Sequence, residues 1–154
     1  MLVLVNFKHN AGDGFVQAFH QIGIVFSSVE QYIMFRKCQI FGEDDSARLV
    51  MGTNDPAEQQ KIARHASGYN ETVWGGICQA VAFRGLLAKF TQNEDLKKQL
   101  LETGDAYLVE CAKTDRRWAC GVRLDDEGRR DIQNWKGRNI LGFTLMEVRA
   151  ALRQ

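Results

Sequence analysis

Glu30 and Lys37 stand seven positions apart in a stretch that reads as helix. Seven residues make almost two helical turns, so both side chains project from nearly one side, with Ile33 and Met34 between them. A carboxylate and an amine at the ends of an otherwise apolar strip suggest a cleft wall. Burial and pairing there can shift both groups toward acid–base or nucleophilic chemistry. A plainer reading competes: Glu30 completes a capping box opened by Ser27, and Lys37 points into solvent near the helix end. Periodicity leaves both open.

Two further clusters could carry chemistry. Glu110 is followed by Asp115-Arg116-Arg117-Trp118-Ala119-Cys120-Gly121, which places carboxylates at a strand end and in the loop after it, where catalytic groups often sit. Trp118 could stack on a nucleobase, a contact worth about 1–3 kcal/mol per base, or it is core beside solvated arginines. Trp135-Lys136-Gly137-Arg138-Asn139 precedes the final helix, and two cations with a helix N-terminus could hold a phosphate on free N–H groups. The glycine spacing is not that of a Walker loop, and a helix cap with solvated cations explains the same residues. His9, His20 and His65 show neither metal-ligand spacing nor a nucleophile partner, so no metal site and no histidine role are expected.

The elements that must position these groups are mostly helical. Short strands open the chain at Leu2–Phe7, Gly14–Phe19 and Ile22–Phe26, with Gly12-Asp13-Gly14 as a turn. The capping box starts the first helix. A second runs Glu43–Met51 and stops at Gly52. Asp55-Pro56-Ala57-Glu58 starts a third, which ends near Gly68. A long helix spans Glu71 to Phe90, with Trp74, Ile77, Cys78, Val81, Leu86 and Leu87 as its apolar stripe. Asn93 caps a short helix ending at Gly104. Ala106–Ala112 is a buried strand, and a polar glycine-containing stretch runs from Lys113 to Arg138. Asn139 caps a last helix with Leu141, Leu145, Val148 and Leu152 inside. The strands are too few and short for a doubly wound sheet, so the expectation is a mainly α, single multihelical domain over residues 1–154 with a few short N-terminal and peripheral strands.

Composition narrows the classes. With 154 residues, 45% hydrophobic and 25% charged, the chain can build a sizeable core, and a formal net charge of +1 gives no global field to recruit DNA or an anionic membrane. No apolar run reaches the roughly 20 residues of a membrane span, and the apolar start from Met1 to Phe7 reads as a buried strand rather than a secretory leader. Cys38, Cys78, Cys111 and Cys120 lack Cys-x-x-Cys pairing, so buried reduced thiols and a cytoplasmic location are expected.

In order along the chain, several blocks resemble the NADAR superfamily, also called YbiA-like. They are Ser28-Val29-Glu30-Gln31-Tyr32 through Lys37; Leu87-Ala88-Lys89-Phe90-Thr91-Gln92-Asn93; Leu100 to Gly104; and Leu108-Val109-Glu110. Asp115-Arg116-Arg117-Trp118 with Gly121 follows, and then Trp135-Lys136-Gly137-Arg138-Asn139-Ile140-Leu141-Gly142 through Arg149. The resemblance runs from about Gly12 to the C-terminus. It departs where the family carries a Phe-Ser-Asn-Phe-like stretch: here Phe15-Val16-Gln17-Ala18-Phe19 stands, followed by a shorter segment, which remodels a pocket edge.

The resemblance implies a mainly helical fold and an N-glycosidase that splits ribose 5-phosphate from the pyrimidine of early riboflavin intermediates. The alternatives are an ADP-ribosyl hydrolase acting on ADP-ribosylated guanine, or a non-catalytic NAD or ADP-ribose sensor. By position, Glu30 and Lys37 match the family's helix pair, while Asp115, Trp118 and Asn139 match later motifs. Glu30 is then the carboxylate that stabilises an oxocarbenium-like state or activates water. Lys37 binds the phosphate as a point charge or captures the opened sugar as a Schiff base, and Asp115 is a ribose contact or second acid. Trp118, Arg138, Asn139, Glu110 and Trp135 are the expected substrate contacts. No metal or cofactor is called for. The partner is a small ribose-phosphate or ADP-ribose-type molecule, with nucleic acid only in the alternative, drawing on Arg116, Arg117, Lys136 and Arg138, and no membrane.

Overall fold

In a computed structural model, residues 2–5, 18–65 and 67–154 are described. They carry six α-helices and four short strands, which is the mainly α fold that the periodicities imply. His9, the Gly12-Asp13-Gly14 turn and most of the expected strand Gly14–Phe19 lie outside the described residues, as does Phe15-Val16-Gln17.

The chain gathers into two compact units, one ending at Asn93 and the other holding the first strand with Glu94–Gln154. The first unit opens with an antiparallel hairpin, β2 (Phe19–Gln21) and β3 (Ile24–Phe26), pairing Phe19 with Phe26. Ile22 was expected in a strand. It sits instead in the hairpin turn, where Ile22 (φ 53°) and Gly23 (φ 74°) both take the left-handed backbone that matches the twist of paired strands.

Helix α1 (Val29–Ile40) follows, then α2 (Asp44–Met51), α3 (Pro56–Arg64) and α4 (Glu71–Gln92). The box that opens α1 is shifted by one residue from the expected Ser27/Glu30 pair. Ser28 is the N-cap and accepts the Gln31 N–H at 3.1 Å. The Gln31 amide oxygen reaches back to the Ser27 N–H at 2.8 Å. Gln31 is 2% exposed, and its NH₂ donates to the carbonyls of Thr53 and Val50, so the buried amide is satisfied on both ends. Helix α3 starts as expected, with Asp55 as cap and Pro56 in its first turn, but it stops at Arg64 rather than Gly68. The core of this unit is aromatic: Phe19, Phe26, Tyr32 and Phe35 meet ring against ring at centroid distances of 5.1–6.0 Å.

In the second unit, β1 (Leu2–Val5) pairs in parallel with β4 (Tyr107–Glu110), Val3 opposite Leu108. Helices α5 (Glu94–Glu102) and α6 (Ile140–Leu152) pack on each other, and α6 packs on β4. The inner side of α6 is as read from the sequence, with Leu145 and Val148 fully buried. Between β4 and α6 lies an irregular stretch with two short 3₁₀ turns, Glu127–Arg130 and Ile132–Asn134. The four cysteines are buried and unbonded. Among the described residues no helix is long and apolar enough to cross a membrane.

Candidate active site

Helix α1 carries the pair singled out by spacing. Because Ser28 and Gln31 close the helix end, Glu30 is not spent on capping. It lies half-buried in the first turn and accepts a hydrogen bond from the Gln60 amide on α3 at 3.0 Å. A carboxylate in the first turn of a helix lies at the positive end of the helix dipole. Ile33 and Met34, on the same side, are 4% and 8% exposed, so the strip between the two charges is core-like rather than wetted.

Lys37 does not point into bulk solvent. Its Nζ stands 4.3 Å from the centre of the Tyr69 ring and 6.0 Å from that of Trp74. An aromatic ring face attracts a cation placed over it through its quadrupole. The loop before α4 is fixed to put Tyr69 there. Glu43 accepts hydrogen bonds from both the N–H and the hydroxyl of Ser67, which hold its carboxyl below the usual range. Phe41 meets the Tyr69 ring edge-on at 5.3 Å, and the Tyr69 hydroxyl donates to Glu71. Spacing missed Gln60 and Tyr69. A signal for Tyr69 existed: it precedes the Asn70 N-cap and Trp74 follows at the fourth helical position, the places of a hydrophobic staple.

The second unit builds its cluster around Asn139. Asn139 was expected to cap α6 with its side chain. It makes no such bond and takes the left-handed conformation instead (φ 49°). Its amide bridges β4: Oδ1 accepts the Glu110 N–H and Nδ2 donates to the Leu108 carbonyl, both at 2.9 Å. Gly142 makes this approach possible, since a Cβ there would lie 2.2 Å from the Leu108 oxygen. The free N–H groups expected for a phosphate at this helix start are occupied. Those of Arg138, Asn139, Ile140 and Leu141 donate to the carbonyls of Arg116, Ala119, Arg117 and Trp118.

That interleaving holds the Asp115–Trp118 loop against the start of α6. Asp115 itself turns the loop, its Oδ1 accepting the N–H groups of Arg117 and Trp118 at 3.0 and 2.8 Å. Trp118 is half-buried, Arg138 is exposed, and Glu110 is fully buried. Trp135 donates its indole N–H to the Arg129 carbonyl and packs on Val109, Cys111, Cys120 and Val122. The unit therefore brings Glu110, Asp115, Trp118, Arg138 and Asn139 into one hydrogen-bonded framework and uses Trp135 to pack its core. A separate hollow of about 500 Å³ is lined by Lys113, Arg123, Asp126, Asn134 and Lys136. Of the cations expected to meet a phosphate, Lys136 lines it and Arg138 does not. Among the described residues no group of three or more His, Cys, Asp or Glu is gathered as metal ligands would be.

Comparison with known proteins gives one family. The NADAR domain model matches residues 4–153, across both units. Protein irg-1 of Caenorhabditis elegans is 34% identical over 129 residues, 82% of this chain, and the chain spans 61% of that protein's length. An N-glycosidase of Acanthamoeba polyphaga mimivirus is 32% identical over 124 residues, covering 80% of this chain and 73% of the viral one. The solution structure of Escherichia coli YbiA superposes with a TM-score of 0.76 at 25% identity, over 99% of this chain and 87% of that one.

Proposed function

Because the chain belongs to the NADAR family, we propose that it is an N-glycosidase that hydrolyses the bond between a base and a ribose phosphate, early riboflavin-biosynthesis intermediates being the substrate class. Relatives that cover most of the chain carry the name N-glycosidase. Loss of the base leaves positive charge on the sugar, and a carboxylate fixed beside the anomeric carbon stabilises that charge or activates the water that quenches it. Only an interaction stronger in the transition state than in the ground state speeds this step.

Glu30 takes that role. One observation carries the reading: the capping box is closed by Ser28 and Gln31, which leaves Glu30 half-buried and oriented by Gln60. Lys37 is the second participant. Its Nζ stands over two rings, a place that suits a cation, and the role assigned to it is a charge or a proton offered to the departing base. A Schiff base would need the neutral amine. Borohydride added during turnover separates the two roles: a trapped adduct on Lys37 would assign the amine to covalent capture of the sugar.

In the second unit, Asp115 turns the loop that carries Trp118. Glu110 and Asn139 act by positioning that loop, and Trp135 by packing beneath it. The deciding measurement is base release from riboflavin intermediates by Glu30→Gln. The variant should keep its fold and bind substrate while losing the chemical step by about a hundredfold or more. Normal turnover, or simple unfolding, returns Glu30 to a structural role. The hollow lined by Lys113, Arg123 and Lys136 favours a second reading, an ADP-ribosyl hydrolase whose substrate brings a diphosphate. ADP-ribosylated guanine in the same assay separates the two.

A further inference from the structure

The described residues bury two cations. Arg149, 6% exposed, donates to the Thr103 hydroxyl at 2.6 Å and the Ala106 carbonyl at 2.9 Å, so its charge is answered within the fold. Lys89 on α4 is 4% exposed, and no hydrogen bond or ion pair to its amine is found among the described residues. Burial alone lowers that amine to about 8. An uncompensated buried ammonium is costly, so a lysine kept in such a place either stays neutral or receives its counter-charge from outside.

The surroundings are built rather than loose. Lys89 sits one helical turn past Gly85, where α4 meets the Tyr32 ring so closely that a Cβ would lie 2.5 Å from it. Asn93 donates its amide to the Lys89 carbonyl at 2.7 Å and to the Ala18 carbonyl at 3.5 Å. Gln92 clamps His20, accepting its N–H and donating to its carbonyl, both at 2.7 Å. The end of α4 is thus pinned to β2, and the long lysine stem starts from a rigid base.

We propose that Lys89 is the seat of the substrate's phosphate: a preorganised buried cation, unpaired among the described residues, whose partner is the anionic oxygen group of a phosphorylated sugar. The inference rests on the ribose-phosphate reading and assigns the phosphate to a residue other than Lys37, leaving Lys37 for the departing base. A dianion delivered to a desolvated ammonium forms a short charge-assisted hydrogen bond and removes the penalty of burial in one step. An unphosphorylated sugar offers neither.

The test is calorimetric titration of the intact chain with ribose 5-phosphate and, separately, with ribose. Lys89→Met, close in length and apolar, should bind ribose 5-phosphate at least about tenfold more weakly than wild type, a loss typical of a charged partner removed. Ribose should bind both proteins alike. Equal affinity of the two proteins for ribose 5-phosphate, or no binding by wild type, overturns the proposal. Should Lys89→Met fail to fold, wild type labelled with ¹³C at lysine Cε answers the question. Ribose 5-phosphate should raise the titration midpoint of the Lys89 amine, and an unmoved midpoint overturns the proposal equally. Base release by wild type is scored independently. A protein that turns over but ignores Lys89→Met keeps the glycosidase reading and loses this one, and the reverse pattern keeps this one alone.

Discussion

Tyr69 illustrates how a residue outside the proposed reacting pair can govern it. Its ring face receives the Lys37 ammonium at 4.3 Å, and its hydroxyl is tied to Glu71, so the ring cannot swing away without losing a bond. A partly desolvated cation–π contact is worth about 1 kcal/mol, which corresponds to a factor of about five in a rate that depends on the amine's position. Tyr69→Leu should therefore lower kcat by about that factor while KM moves little, and Tyr69→Phe, which keeps the ring, should lose less. Equal kcat for Tyr69→Leu and wild type in a base-release assay would reduce the contact to packing. That Glu30 and Lys37 share one side of α1 was legible from spacing alone, but what surrounds them was not. Ser27/Glu30 and Ser28/Gln31 both fit a capping box, and only the burial of Gln31 between α1 and the carbonyls of Val50 and Thr53 decides for the second.

Elements were readable where one periodic face meets one core, and misread where the backbone turns. The stripes of α4 and α6 and the Asp55-Pro56 start of α3 survive in the structure because each follows from local pattern and cap chemistry. The turn at Ile22 does not follow that way, since the hairpin overrides the preference of a β-branched residue, and the role of Asn139 does not, since its amide is taken by β4. Asn139 also marks the limit of motif reasoning. Its position before α6 suggested a side-chain cap over an open phosphate site, yet its amide is bonded to β4 and the neighbouring N–H groups are filled by the 116–119 loop. Asn139→Ala leaves a buried N–H and a buried carbonyl on β4 unmatched, costing about 2–4 kcal/mol at roughly 1–2 each. Chemical denaturation should show that loss. It should also show Asn139→Asp faring little better, because a carboxylate cannot donate to the Leu108 carbonyl. A change below about 0.5 kcal/mol for Asn139→Ala would mean that the bridge is dispensable.

At the scale of the whole molecule, one family model spans both compact units, and the molecule's pH response links the fold to the proposed phosphate seat. Lys89 has its amine lowered from 10.5 to about 8 in the folded chain by burial. Between those values the unfolded chain binds the extra proton, so this residue makes stability rise with pH across that window. Below about 8 the folded protein carries the full penalty, on the order of 3 kcal/mol for a side chain so nearly buried. The buried thiols act the other way. Burial raises Cys38, and raises Cys111 to about 12, so each loses stability as the unfolded thiol ionises near 9. Tyr32, raised by burial, opposes Lys89 similarly at somewhat higher pH. A single melting curve against pH would blend these slopes, but the difference between wild type and Lys89→Met cancels the shared groups. That difference should favour the variant by a few kcal/mol at pH 7 and shrink steadily from pH 8 to pH 10. A difference that stays flat from pH 7 to pH 10 would mean that the Lys89 amine is no more desolvated in the folded chain than in the unfolded one. The case for a cation held in reserve for phosphate would then lose its energetic basis.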